Sequence, residues 1–153
     1  MSGYNLNQLR ILRDYFDDGG INEFLKIVSP SCSCYELEIL AKAFKMGIDV
    51  SDLVNCHVSC DCLILLCDSK MKGIDIKGLG NEFVDIDLLK QILLIKSKNP
   101  NVDMSFISDL SLNDCKTMIA DYRLYGVSVF DKYREKVQIN KQMIDIELNY
   151  VKK

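Results

Sequence analysis

The chain has 153 residues, 48% of them hydrophobic and 27% charged, with a formal net charge of −3 and a pI of about 5.2. That is one domain's worth of ordered globular chain, which excludes a disordered or collagen-like protein. It also removes the global positive field that would draw nucleic acid or an anionic membrane surface.

The charge is unevenly placed: residues 1–76 carry 7 Lys/Arg against 11 Asp/Glu, and residues 77–153 carry 12 against 11. No charged and then apolar leader opens the chain. Apolar runs such as "LILLC" fall far short of the roughly 20 residues of a bilayer span. Seven cysteines, an odd number without a leader, read as reduced thiols. The expectation is a cytoplasmic protein with no membrane association.

In chain order, "YNLNQLRIL" starts a helical run that stops at Gly19–Gly20 and continues as "INEFLKIV". Four stretches then line up: "CSCYELEIL" from Cys32, "VSCDCLILL" from Val58, "VDIDLLKQI" from Val84 and "LSLNDCKTM" from Leu110. Their polar second residues, Ser33, Ser59, Asp85 and Ser111, are each 26 apart. Ser and Asp cap helices because their side-chain oxygens accept unpaired N–H groups of the first turn. The apolar residue before each cap suits a hydrophobic staple. Leu37, Leu63, Leu89 and Cys115 share one position, and Leu40, Leu66, Ile92 and Met118 share another three residues on, so each helix has one inward face.

Gly47, Gly73 and Gly126 follow these runs, with Asn99 at the corresponding place in the third; Gly and Asn tolerate the left-handed conformation that closes a helix. Pro100 blocks continuation there. The tails "GIDVSDL", "GIDIKGL", "NVDMSFI" and "GVSVFDKY" each lead into a short second helix or helical turn. "VQINKQMIDIELNYV" begins a further unit that has no stop.

The fold class expected is all-α: stacked helix-turn-short-helix repeats forming a short α-solenoid-like array. It is a single domain over 1–153, with units at about 4–31, 32–57, 58–83, 84–109 and 110–136 and a terminal half-unit at 137–153. Such a unit cannot bury its apolar stripe alone, so neighbours must share a core.

The run "GIDVSDL" at 47–53, set between a capped helix and a short second segment, resembles the short helical repeats of uncharacterised proteins from low-GC Gram-positive bacteria, their phages and mobile elements. The cysteine-rich starts at 32–34 and 60–62 depart from that pattern. The resemblance implies architecture and carries no catalytic activity.

Cys56, His57, Cys60 and Cys62 offer a ligand set for tetrahedral zinc and define the alternative of a small zinc- or thiol-dependent regulatory protein. Core packing explains most cysteines more simply. Cys32 takes the place of Val58 and Val84, Cys34 and Cys60 that of Ile86 and Leu112, and Cys67 that of Leu93 and Ile119, where a thiol acts as a small hydrophobe. Only Cys56 and His57 fall outside the pattern, so no metal site and no cofactor is expected.

The G-x-G of "KGLGNEF" (77–83) lacks the preceding strand of a phosphate loop. Asp85 and Asp87, or Asp17 and Asp18, are carboxylate pairs of the kind that favour helix starts. "FDKYREKVQINK" at 130–141 carries Lys132, Arg134, Lys136 and Lys141, the one segment suited to weak nucleic-acid binding. Asp131 and Glu135 among them make a solvated, self-paired helix the plainer reading.

No catalytic constellation remains. The function expected is a non-enzymatic protein–protein interaction module. Its specific version is a phage or mobile-element inhibitor of a host factor such as a defence nuclease, with the acidic N-terminal half meeting a basic protein partner.

Overall fold

A computed structural model describes residues 3–54, 58–79 and 85–152. The chain is all-helical, with no strand among the described residues. Its helices are α1 (Leu6–Phe16), α2 (Ile21–Leu25), α3 (Cys34–Lys45), α4 (Cys60–Met71), α5 (Ile86–Lys98), α6 (Leu112–Tyr125) and α7 (Val129–Lys152). Short 3₁₀ turns lie at Ser105–Asp109 and Gly126–Ser128. Two compact units result, one holding the described residues through Ile76 with 85–86, the other Lys77–Leu79 and the chain from Asp87 onward.

The helix starts follow the 26-residue register. Ser33 Oγ accepts the Glu36 N–H at 3.1 Å, Ser59 Oγ that of Cys62 at 3.3 Å, and Ser111 Oγ that of Asp114 at 3.1 Å. All three serines hold extended backbone before the first turn. α5 begins immediately after Asp85. Both inward positions of each helix, from Leu37 and Leu40 through to Cys115 and Met118, are buried. Val84, the apolar residue before the Asp85 start, lies outside the described residues.

The stops divide into two kinds. Gly47, Gly73 and Gly126 take positive φ of 86°, 79° and 79°. Asn99 does not join them, because no described non-glycine residue has positive φ. Proline disfavours helical backbone in the residue before it, so Pro100 ends α5. The Asn99 side-chain amide then donates to Ile95 O at 2.9 Å and to Tyr122 Oη at 3.0 Å. Asparagine closes this helix through its side chain and not through left-handed backbone.

The tails are shorter than helices: turns at 51–54 and 77–78 and the 3₁₀ turn at Ser105–Asp109. One turn suffices because each buries two apolar residues three apart: Val50 and Leu53, Ile76 and Leu79, Met104 and Ile107. Asp49 and Asp103 nucleate two of these turns by accepting the Ser51 and Ser105 N–H at 3.0 and 2.9 Å, an Asx turn. α7 runs unbroken through the expected 136/137 boundary. Neither glycine nor proline occurs along it, and Phe130, Tyr133 and Val137 continue one buried face.

In the first unit Phe16, Phe24 and Phe44 form a ring cluster with centroids 4.8 to 5.9 Å apart. Gln8 locks α1 to the segment before α3. Its Oε1 accepts the Asn5 N–H at 2.8 Å, its backbone N–H reaches Asn5 Oδ1, and its Nε2 donates to Pro30 O at 3.0 Å and Cys32 O at 2.7 Å. Asn5 and Gln8, three apart, make a capping box.

In the second unit Tyr122 stacks on Phe130 at 5.4 Å, and Tyr133 donates to Asp121 Oδ2 at 2.7 Å. The buried ammonium of Lys96 donates to Pro100 O and Val102 O, holding the turn that follows its own helix.

Gln8→Ala strands two carbonyls and opens the capping box, so the first unit should lose about 2–3 kcal/mol, measured by urea unfolding followed by circular dichroism. Burial, and then the bond to Asp121, push the Tyr133 hydroxyl up to about 12 from 10. The folded chain therefore keeps a proton that the unfolded chain releases. The resulting stability is complete below pH 10 and falls as pH rises towards 12. Tyr133→Phe should cost about 1 kcal/mol at neutral pH and flatten that alkaline decline in paired unfolding titrations.

Candidate functional site

The helix register that buries one face of α3 and α4 leaves another on the surface. From α3 and its C-cap come Tyr35, Glu38, Ile39, Lys42 and Met46, and from α4 Cys60, Ile64, Asp68 and Met71, with the buried Cys67 also in the lining. Within each helix these are spaced by three and four residues, so each set is one stripe. The stripes face each other across an open groove of about 410 Å³, with Tyr15 of α1 at one side.

The groove has an apolar interior. Tyr35 is 74% exposed, and Met46, Ile64 and Met71 each expose about half of their surface. Scattered surface hydrophobes need no explanation, whereas a contiguous patch on facing helices does. Glu38 and Asp68 are exposed at its edge, and Lys42 supplies a cation. Tyr15 Oη donates to Glu38 Oε1 at 3.3 Å. Partial burial, reinforced by that carboxylate, raises the Tyr15 hydroxyl above its ordinary value, so it stays a neutral donor that orients Glu38.

The walls are braced from behind. Lys45 pairs with Asp18 at 2.9 Å. Lys70 of α4 pairs with Asp52 at 2.7 Å and donates to Asp49 O, fastening the preceding tail to α4. Lys70 and Lys96 are 26 residues apart, and both anchor a tail through a backbone carbonyl. That spacing is the signal in the sequence that would have found them. Gln8 was findable too, since Asn-x-x-Gln before an apolar run is the capping-box signature.

The four residues of the zinc alternative are divided. Cys56 and His57 lie outside the described residues. Cys60 is half-buried and lines the groove, while Cys62 is buried. Two residues apart on a helix, they point to nearly opposite sides. Among the described residues no group of three or more His, Cys, Asp and Glu could hold a metal ion.

Cys32, Cys67 and Cys115 are buried, as core packing requires. Burial pushes the Cys115 thiol up to about 11, which makes it inert. Cys34 and Cys60 are only half-buried, a correction to their assignment as core. Their repeat position is a rim, since Ile86 there is also half-buried and Leu112 exposed. Cys62 is buried, as is Leu88 at the same repeat position, whereas Glu36 and Asp114 there are half-buried, so the register leaves this position divided.

In the 130–141 segment, Arg134 reaches Asp131 and Asp103 O, each at 2.7 Å, and stacks on Phe106. Lys136 pairs with Asp114 and Lys141 with Asp109, both at 3.0 Å. Lys132 lies over the Tyr133 ring.

The first glycine of the G-x-G at 77–83 has a packing reason. Gly78 has φ of +79°, and a Cβ there would run into the Ser105 backbone. Gly80 lies outside the described residues. No helix is long and apolar enough to cross a membrane among the described residues.

No protein-family model, curated protein or solved structure matches the chain.

Exposure orders the thiols. Cys34 and Cys60 should be alkylated by iodoacetamide in the native protein well before Cys32, Cys62, Cys67 and Cys115, which should react at the rate of unfolding. Peptide mass mapping over a time course reads this order. Early labelling of Cys62 would contradict the packing of α4.

Proposed function

We propose that this protein is a non-enzymatic interaction module that recognises a protein partner through the α3–α4 groove. The carrying observation is the pair of facing stripes, whose exposed Tyr35, Met46, Ile64 and Met71 form one apolar surface. An amphipathic helix of about three turns matches the length of the two 12-residue helices. Glu38 and Asp68 at the edge favour basic flanking residues on that helix.

This reading agrees with a stacked-repeat architecture. Successive repeats lying side by side, as α3 and α4 do, are what an α-solenoid-like array needs, and such arrays bind along their surfaces. With the resemblance of the repeats to those of phage and mobile-element proteins, the specific version is an inhibitor that occupies a basic surface of a host factor, a defence nuclease being one. The segment at 130–141 is read as a charged structural helix, because three of its four cations are engaged within the protein.

The test is affinity purification of the tagged chain from its native host, compared with Ile64→Asp. Ile64 is exposed, so Asp should leave the helix content unchanged while removing the captured partner. Identical protein sets from the two baits would sink the assignment to this groove. A charge-reversed Glu38→Lys, Asp68→Lys chain should retain the same partner more weakly, most visibly at low salt.

A further inference from the structure

The last turns of α7 lie beyond its buried face, which ends at Val137, and carry the largest exposed apolar surface of that helix. Every residue from 138 to 150 is exposed. Six of them are large and apolar: Ile139, Met143, Ile144, Ile146, Leu148 and Tyr150, each at least 47% exposed. A solvated helix does not normally place six such side chains in thirteen residues in water.

Their arrangement is ordered. Ile139, Met143, Ile146 and Tyr150 follow one another at steps of four, three and four, and at 3.6 residues per turn they fall within an arc of about 60°. That is the spacing of a helix–helix seam. Ile144 and Leu148 prolong the other side, where Phe130, Tyr133 and Val137 are already buried in the unit. Beyond Lys141, which pairs with Asp109, Ile144 and Leu148 on that side are each more than half exposed.

We infer that the α7 tails of two or more copies of this chain pack together, with Ile139, Met143, Ile146 and Tyr150 at the seam. Three features point to a like copy. The stripe is uninterrupted by charge, so it is self-complementary, as an isologous contact requires. The tail between 138 and 150 holds one Lys and two acidic residues, Lys141 against Asp145 and Glu147; this near balance neither repels a second copy nor selects a partner of one sign. The area fits a reversible pair. Side chains of this size, about half or more exposed, offer on the order of 100 Å² each. The four seam residues from each of two copies give about 800 Å², in the range of weak contacts that dissociate on dilution.

The tail is independent of the α3–α4 groove, so this inference stands or falls apart from the proposed function. Sedimentation velocity of the full chain over a wide concentration range is the first measurement. The expected result is a mass of two or more chains that dissociates on dilution. Ile146→Asp and Met143→Asp should each weaken association at least tenfold, with helix content and melting temperature of the dilute protein preserved because both sites are exposed. Leu124→Asp, at an exposed site on α6 outside the tail, should associate as the parent chain does. A chain monomeric at every concentration would overturn the inference. So would Ile146→Asp associating as tightly as the parent, or Leu124→Asp dissociating it equally.

Discussion

A helix of twelve or thirteen residues with a single apolar stripe is not stable by itself in water, because nucleation costs more than so few hydrogen bonds return. Burying that stripe on a neighbour is the constraint from which the rest of the structure follows. Leu37 and Leu40, Leu63 and Leu66, Leu89 and Ile92, and Cys115 and Met118 all satisfy it. Once those pairs face inward, the serine caps, the glycine stops and the brief tails are the local chemistry that starts, ends and returns each helix in time for the next. Even the tails obey it, since Val50 with Leu53, Ile76 with Leu79 and Met104 with Ile107 give each turn its own buried pair.

Polar residues then hold what the apolar pairs leave loose. Gln8, Lys70 and Lys96 share one role: each sends side-chain donors to backbone carbonyls of the connections between helices. Buried carbonyls without partners are costly, so these contacts fix the paths of connections that have little secondary structure. Gly78 belongs to the same account from the opposite direction, as the place where two backbone segments approach too closely for any side chain.

Two apolar surfaces stand out among the described residues once the interior is accounted for. The groove between α3 and α4 is an apolar channel lined also by the exposed carboxylates Glu38 and Asp68, the surface on which the proposed partner recognition rests. The end of α7 carries an exposed apolar stripe with nearly balanced charge, the surface on which the inferred self-association rests. Both present several large apolar side chains to solvent, and that shared feature is what the proposed interactions rest on.

How much of this was legible beforehand depended on whether the determining contact was local. Helix starts, the inward pairs, three of the five cysteines that the register placed at apolar positions (Cys32, Cys67 and Cys115) and the all-helical class were readable, because a cap and a period of 3.6 act within a few residues. The asparagine stop was misread, since the adjacent proline and the distant Tyr122 decided its conformation. Cys34 and Cys60 proved to be rim residues and Cys62 an interior one. The groove had no sequence signature, because its stripes become one surface only when α3 lies beside α4. The sequence by itself determined where helices begin and which face is apolar. Only the tertiary structure decided which of those apolar faces were covered, because burial depends on neighbours that stand twenty or more residues away along the chain.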